Sequence, residues 1–141
     1  MSIAPLYTTR STATGGREGR AASEDGALSV ALVTPRELGG AGGDGTNPEQ
    51  LFATGYAACF LSALKAVARM QKKTVPDTAT ATAEVGIGKR DDGGFELKVA
   101  LSVDLPGVDP EEADALIAAA HQVCPYSHAT RGNIEVTVGR A

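Results

Sequence analysis

The chain has 141 residues, 43% of them hydrophobic but only 4% aromatic and none Trp, which bounds it to one domain over a light core of Ala, Val, Leu and Ile. Small side chains bury little area each, so such a core gains from an oligomer interface. The formal charge of -4 leaves no basic stripe for nucleic acid or an anionic membrane, and neither partner is expected.

The opening stretch MSIAPLYTTRSTATGG lacks the long apolar run of a signal peptide, so a cytoplasmic protein is expected. Thr8 to Thr14 is rich in β-branched residues and closes on Gly15-Gly16. Ala27 to Val33 alternates, with Leu28, Val30 and Leu32 on one face. Both read as strands of an N-terminal meander. Leu38 to Gly45 is glycine-rich but lacks the Gly-Lys-Ser/Thr ending of a phosphate loop and the spacing of a dinucleotide fingerprint. It reads as a flexible connector or lid.

A helix start follows: Asn47 as N-cap, Pro48 at the first helical position and Gln50 completing a box, with the helix running to about Lys72. Its apolar run, Leu51 to Ala68, is interrupted by Thr54, Gly55, Ser62 and Lys65, as in a buried helix rather than a membrane span. Gly55, Cys59, Ser62 and Ala66 share one small-residue face that admits a second helix. Two alternating strands, Ala79 to Ile87 and Phe95 to Val103, flank the turn residues Arg90 to Gly94 and form a hairpin. A second helix begins at Asp109-Pro110 with the stripe Ala113, Ile117, Ala120 and Cys124, and Pro125 ends it. Ile134 to Val138 is the last strand. The order gives an α+β class, helices against antiparallel sheet.

The two cysteines, Cys59 and Cys124, each fall on the inward face of a predicted helix, so both face one core. Thiols whose Cα atoms approach within about 6 Å can form a disulfide. A permanent disulfide is unexpected in a reducing cytosol, which leaves a redox pair or two inert buried thiols, and composition does not choose between them. A reactive cysteine attacks as thiolate and needs a positive neighbour. Arg17, following the Gly15-Gly16 turn, is one candidate and Arg20 is its competitor. Glu49 either serves the helix N-terminus or pairs with and aims an arginine. Glu49 and Cys59 lie ten residues apart, about 15 Å along a continuous helix. They meet around one thiol only if Gly55 breaks the helix, a loop arginine bridges the gap, or two chains share the site. His121, Cys124 and His128, with Cys59, supply four N/S groups, but Pro125 interrupts them and no C-x2-C pair is present. No metal or other cofactor is expected.

Several segments in order resemble one family: Thr12 to Arg17 (TATGGR), Pro35 to Gly40 (PRELGG), Thr46 to Ala53 (TNPEQLFA), Gly55 to Phe60 (GYAACF), Val123 to Ser127 (VCPYS) and Ala129 to Ile134 (ATRGNI). Together they look like the organic hydroperoxide resistance (Ohr) proteins of the OsmC/Ohr superfamily, over nearly the whole chain. The resemblance implies an intertwined homodimer with central helices wrapped by sheets and active sites at the subunit interface. It maps the peroxidatic cysteine onto Cys59, the resolving cysteine onto Cys124, the catalytic arginine onto Arg17 and its acidic partner onto Glu49. It also implies reduction by a lipoyl-type dithiol rather than thioredoxin. His128 is a departure, at a position where the family often has Asn.

On that resemblance the function is a thiol peroxidase that reduces organic hydroperoxides. Arg17 favours the Cys59 thiolate and Glu49 holds the guanidinium; Cys59 is oxidised to a sulfenic acid, Cys124 condenses with it, and an external dithiol resets the pair. Two readings from other classes are a non-enzymatic redox sensor and an apolar-ligand binding protein with structural cysteines.

Overall fold

The computed structural model describes residues 2–141, in two compact units, one reaching to Pro48 and one from Glu49 to Ala141. The N-terminal unit is a three-stranded antiparallel sheet, β1 (Ser11–Thr14), β2 (Arg20–Ser23) and β3 (Ser29–Ala31), paired in that order. The chain leaves β1 through Gly15 and Gly16, both at positive φ (72° and 59°), into a 3-10 turn over Gly16–Glu18. It re-enters at Gly19, where a Cβ would sit 1.8 Å from the Thr14 carbonyl oxygen, so only glycine closes this turn. The sequence reading missed β2, whose Ala21 and Ala22 carry little strand propensity of their own. The Leu38–Gly45 loop is pinned to its own start: Gly40 N–H donates to Pro35 O, Gly42 N–H to Thr34 O and Arg36 Nε to Ala41 O at 3.0 Å.

The C-terminal unit opens with α1 (Pro48–Met70), which starts at the expected proline and stops where Lys72 turns to φ 57°. Then come β4 (Thr80–Lys89), β5 (Phe95–Asp104), α2 (Pro110–Val123), the short α3 (Pro125–Thr130) and β6 (Val136–Arg140). The expected hairpin is present: β4 and β5 pair antiparallel in unbroken register from Thr80↔Asp104 to Lys89↔Phe95. Asp92 Oδ1 closes its turn by accepting from Gly94 N–H and Arg90 Nε. The expectation of a purely antiparallel sheet is corrected here. Strand β6 pairs parallel to β5 (Val99↔Val136, Leu101↔Val138), because two helices carry the chain back along the sheet before it returns. Arg140 Nε, at the end of β6, donates to Asp114 Oδ1 of α2 at 2.6 Å. The class is α+β, with two three-stranded sheets and three helices.

The core of this unit lies between one face of the mixed sheet and the helices. Tyr56, Phe60, Leu64 and Val67 of α1 and Leu116, Ile117 and Ala120 of α2 meet Val99, Leu101 and Val103 of β5. Helix α1 is long and apolar enough, by length and composition, to cross a membrane. Its buried stripe is nevertheless spent on this core, and Lys65 and Arg69 stand exposed on its other side. Four of its buried residues, Tyr56, Phe60, Ala63 and Val67, each fall one position after a member of the predicted small-residue face, roughly 100° round the helix, and Leu64 and Ala68 fall two after. The small residues therefore border the core rather than fill it, and Ser62 is exposed.

Candidate active site

The fold brings Cys59 of α1 and Cys124 together. Both are free thiols, and the Cys124 thiol donates to Cys59 Sγ at 3.8 Å. Pro125 is the local cause of the Cys124 position. A proline pushes the residue before it out of helical backbone, so α2 ends at Val123 and Cys124 turns extended (φ -64°, ψ 122°). Cys124 then caps both helices: its N–H bonds Ala120 O at 2.9 Å, and its own carbonyl accepts the His128 N–H at 3.0 Å. Its side chain is fully buried, as the α2 stripe predicted.

Cys59 is only half-buried, at the margin of the core. Burial pushes its thiol above the ordinary value. The Tyr126 backbone N–H, which donates to the sulfur, pulls it down, and the adjacent Cys124 pushes it up. One thiol is thus reachable and the other enclosed behind it.

Tyr126 reaches α1 because residue 55 is glycine: a Cβ there would lie 2.8 Å from the tyrosine Oη. Phe52, Tyr56 and Tyr126 form an aromatic cluster with ring centroids 5.6–6.0 Å apart. Phe52 and Tyr126 also line a groove of about 520 Å³, with Phe95, Leu97, Ile134 and the charged Arg90 and Glu96. Cys59 does not line this groove.

Beneath the cysteines lies a buried polar chain that sequence reasoning missed. His121 Nδ1 stands 2.8 Å from Ser127 Oγ, which is 2.9 Å from Tyr56 Oη, which is 3.2 Å from Thr130 Oγ1. The Thr130 hydroxyl donates to Ser127 O at 3.2 Å. Tyr56 and Ser127 are fully buried. His121 is held below its ordinary value by burial and then by the Arg131 charge; Arg131 Nη2 also donates to His121 O at 2.5 Å. The signal available in the sequence was Ser127 and Thr130 three positions apart, just after a helix-breaking proline.

Of the other predicted residues, Arg17 is half-buried in the 3-10 turn of the N-terminal unit. Glu49 is half-buried in the first turn of α1. Because α1 runs unbroken through Gly55, a helix break at that glycine is excluded as a route from Glu49 to Cys59. The competitor Arg20 is exposed and donates across β2–β3 to Ser29 Oγ at 3.3 Å. His128 is exposed on α3. Among the described residues, no three or more His, Cys, Asp or Glu side chains gather as metal ligands would.

Residues 40–139 match the family model described as OsmC-like protein. The organic hydroperoxide resistance protein of Xanthomonas axonopodis pv. citri is 61% identical over 94% of this chain and 93% of its own. The chain belongs to the OsmC-like family, among the organic hydroperoxide resistance proteins. The backbone agrees. The crystal structure of an organic hydroperoxide resistance protein from Elizabethkingia anophelis superposes with a TM-score of 0.92 at 52% identity, over 99% of each chain. That of OhrB from Bacillus subtilis superposes at 0.89 and 45% identity, over 97% of this chain and all of that one. These matches run through both units of this OsmC-like chain, with Cys59 and Cys124 both inside the matched family region.

Proposed function

We propose that this protein is a two-cysteine thiol peroxidase that reduces organic hydroperoxides to alcohols, with Cys59 attacking and Cys124 resolving. The single observation that carries this is the pair of free sulfurs 3.8 Å apart, one half-exposed and one enclosed. The Cys59 thiolate attacks one peroxide oxygen and the O–O bond breaks. The other oxygen leaves with a proton as the alcohol, and Cys59 is oxidised to a sulfenic acid. The Cys124 thiol then attacks the Cys59 sulfur, the hydroxyl leaves as water, and a disulfide forms. Closing the gap to a bonded length near 2.05 Å takes a movement of about 1.8 Å. A lipoyl-type dithiol exchanges with the disulfide, returning both thiols and leaving as its own disulfide.

Arg17 acts in this reading as the charge that favours the Cys59 thiolate, and Glu49 as the acid that fixes its guanidinium. The working form is a single OsmC/Ohr-like domain over 1–141, assembled as a cytoplasmic homodimer. In the N-terminal unit only one hydrophobic residue, Leu32, is buried among those described, which is too little core for a sheet standing alone. The aromatic cluster and apolar groove beside Tyr126 support a preference for organic over inorganic peroxide.

The test is a count of free thiols per chain after one equivalent of an aryl hydroperoxide, with hydrogen peroxide in parallel. Loss of both thiols, faster with the organic peroxide and reversed by dihydrolipoamide, is expected. Two unreacted thiols would overturn the reading.

A further inference from the structure

The four contacts of the buried polar chain admit only one arrangement of hydrogens. Thr130 Oγ1 must donate to the Ser127 carbonyl, since a carbonyl has no proton to give. Its hydrogen being spent, Thr130 Oγ1 accepts from Tyr56 Oη at 3.2 Å. Tyr56 has one hydrogen, now used, so it accepts from Ser127 Oγ at 2.9 Å. Ser127 in turn has none left for His121, so the 2.8 Å contact is a donation from His121 Nδ1–H. Four hydrogens serve four contacts in one direction. No buried side-chain nitrogen or oxygen is left without a partner among the described residues. The reverse tautomer, with the hydrogen on Nε2, leaves one of these contacts without a hydrogen. In a buried site that costs more than the bond itself contributes.

The chain of donors also joins the three pieces on which the cysteines ride. Tyr56 lies on α1 one turn before Cys59, His121 on α2 one turn before Cys124, and Ser127 and Thr130 on α3, directly after the Cys124–Pro125 corner. Ser127 also follows Tyr126, whose backbone N–H donates to Cys59. We propose that His121, as its Nδ1–H tautomer, is a positioning residue: it heads a one-way hydrogen-bond chain through Ser127, Tyr56 and Thr130 that locks the α2–α3 corner to α1 and so holds Cys124 within reach of Cys59. The tautomer follows from the contacts alone; the role in resolution rests on the peroxidase reading. A carbon side chain at position 121 leaves Ser127 Oγ with one fewer donor and frees the corner to drift. A drift well under the 3.8 Å gap is enough to slow a condensation that depends on alignment. Asparagine at 121 can present its side-chain N–H where Nδ1 stood and keep the chain intact.

Two measurements test this on the full-length protein. Imidazole ¹⁵N spectra above neutral pH are expected to show His121 with a protonated Nδ1 and a bare Nε2, moving toward the Nε2–H form in Ser127→Ala. The opposite tautomer in the parent, or no change in Ser127→Ala, would overturn the chain. Rapid-mixing kinetics with an aryl hydroperoxide then separate oxidation of Cys59 from loss of its sulfenic acid to the disulfide. His121→Leu and Ser127→Ala are expected to slow the second step about tenfold, the worth of one hydrogen bond, and more than the first. His121→Asn should stay within about threefold of the parent, under half that free energy. Equal slowing by Asn and Leu, or resolution unchanged in all three, would overturn the positioning role. A parent that forms no disulfide at all would instead sink the peroxidase reading and leave the tautomer standing or falling on the spectra.

Discussion

Gly55 and Tyr126 touch across the α1–α3 contact so closely that a methyl group on residue 55 would lie 2.8 Å from the tyrosine Oη. The glycine lets the phenol ring lie against α1, packed with Phe52 and Tyr56. In Gly55→Ala the ring must swing aside, and the aromatic cluster loses one member. Alanine's better helix propensity offsets part of the loss, by about 0.5–1 kcal/mol, so the melting temperature should change little. The preference for aryl over inorganic peroxide should fall about threefold, in keeping with one aromatic contact. The ratio of the two second-order rate constants checks this; an unchanged ratio would remove Tyr126 from substrate selection.

Cys124 is buried and Cys59 only half-buried, and the peroxidase reading gives the two thiols different roles. Cys59→Ser is expected to abolish peroxide consumption. Cys124→Ser should complete one turnover and then stall, because the Cys59 sulfenic acid has no internal thiol to condense with and oxidises further to the irreversible sulfinic acid. Intact-mass measurement after excess peroxide should show two added oxygens on Cys124→Ser and a loss of two hydrogens on the parent. Sustained cycling of Cys124→Ser would take it out of the resolving role.

Burial holds the Cys59 thiol above its ordinary value, and the Tyr126 N–H only partly opposes it. On the peroxidase reading the attacking form is the thiolate, so the rate of attack should rise as pH rises toward the Cys59 value and level beyond it. Removing the proposed Arg17 charge disfavours the thiolate, so the midpoint for Arg17→Ala should lie at higher pH than the parent's. At pH 7 the variant should be about tenfold slower, the effect of losing roughly 1.4 kcal/mol of thiolate stabilisation, with the gap closing in alkali. Glu49→Ala should move the profile the same way but less. If Arg20→Ala reproduced the shift while Arg17→Ala did not, the arginine assignment would be wrong, and the Arg20 tie to Ser29 makes that outcome unexpected.

Much of this architecture was legible because local signals and tertiary packing agree. Asn47-Pro48 and Asp109-Pro110 opened their helices on the expected prolines, the alternation on either side of Arg90–Gly94 gave the hairpin, and Ala113, Ile117, Ala120 and Cys124 are all buried. Strand β2 was not legible, since Ala21 and Ala22 become a strand only through neighbours on both sides. The parallel pairing of β6 was not legible either, because nothing in Val136 to Arg140 states which way its partner runs. At the site, the sequence named both cysteines, but their mutual distance depends on how α1 and the Cys124–Pro125 corner pack. Tyr56, Ser127, Thr130 and the bond made by His121 emerge only when residues about seventy positions apart are folded together.

The depressed His121 value carries a stability consequence. Burial, and then the Arg131 charge, disfavour the imidazolium in the folded state relative to the ordinary value of 6.5. The unfolded chain therefore binds a proton there more readily, and stability falls as pH drops through 6.5 toward the lower folded value, below which the loss stops growing. In the Nδ1–H tautomer the added proton goes to Nε2, so the hydrogen bond to Ser127 survives and the cost is that of burying charge beside Arg131. Only two histidines are present, so a His128→Gln background isolates the effect. Urea unfolding in that background at pH 8 and pH 5.5 should show a lower midpoint at the acid value, and His121→Asn should flatten the difference. An equal acid loss in His121→Asn would assign it to other groups.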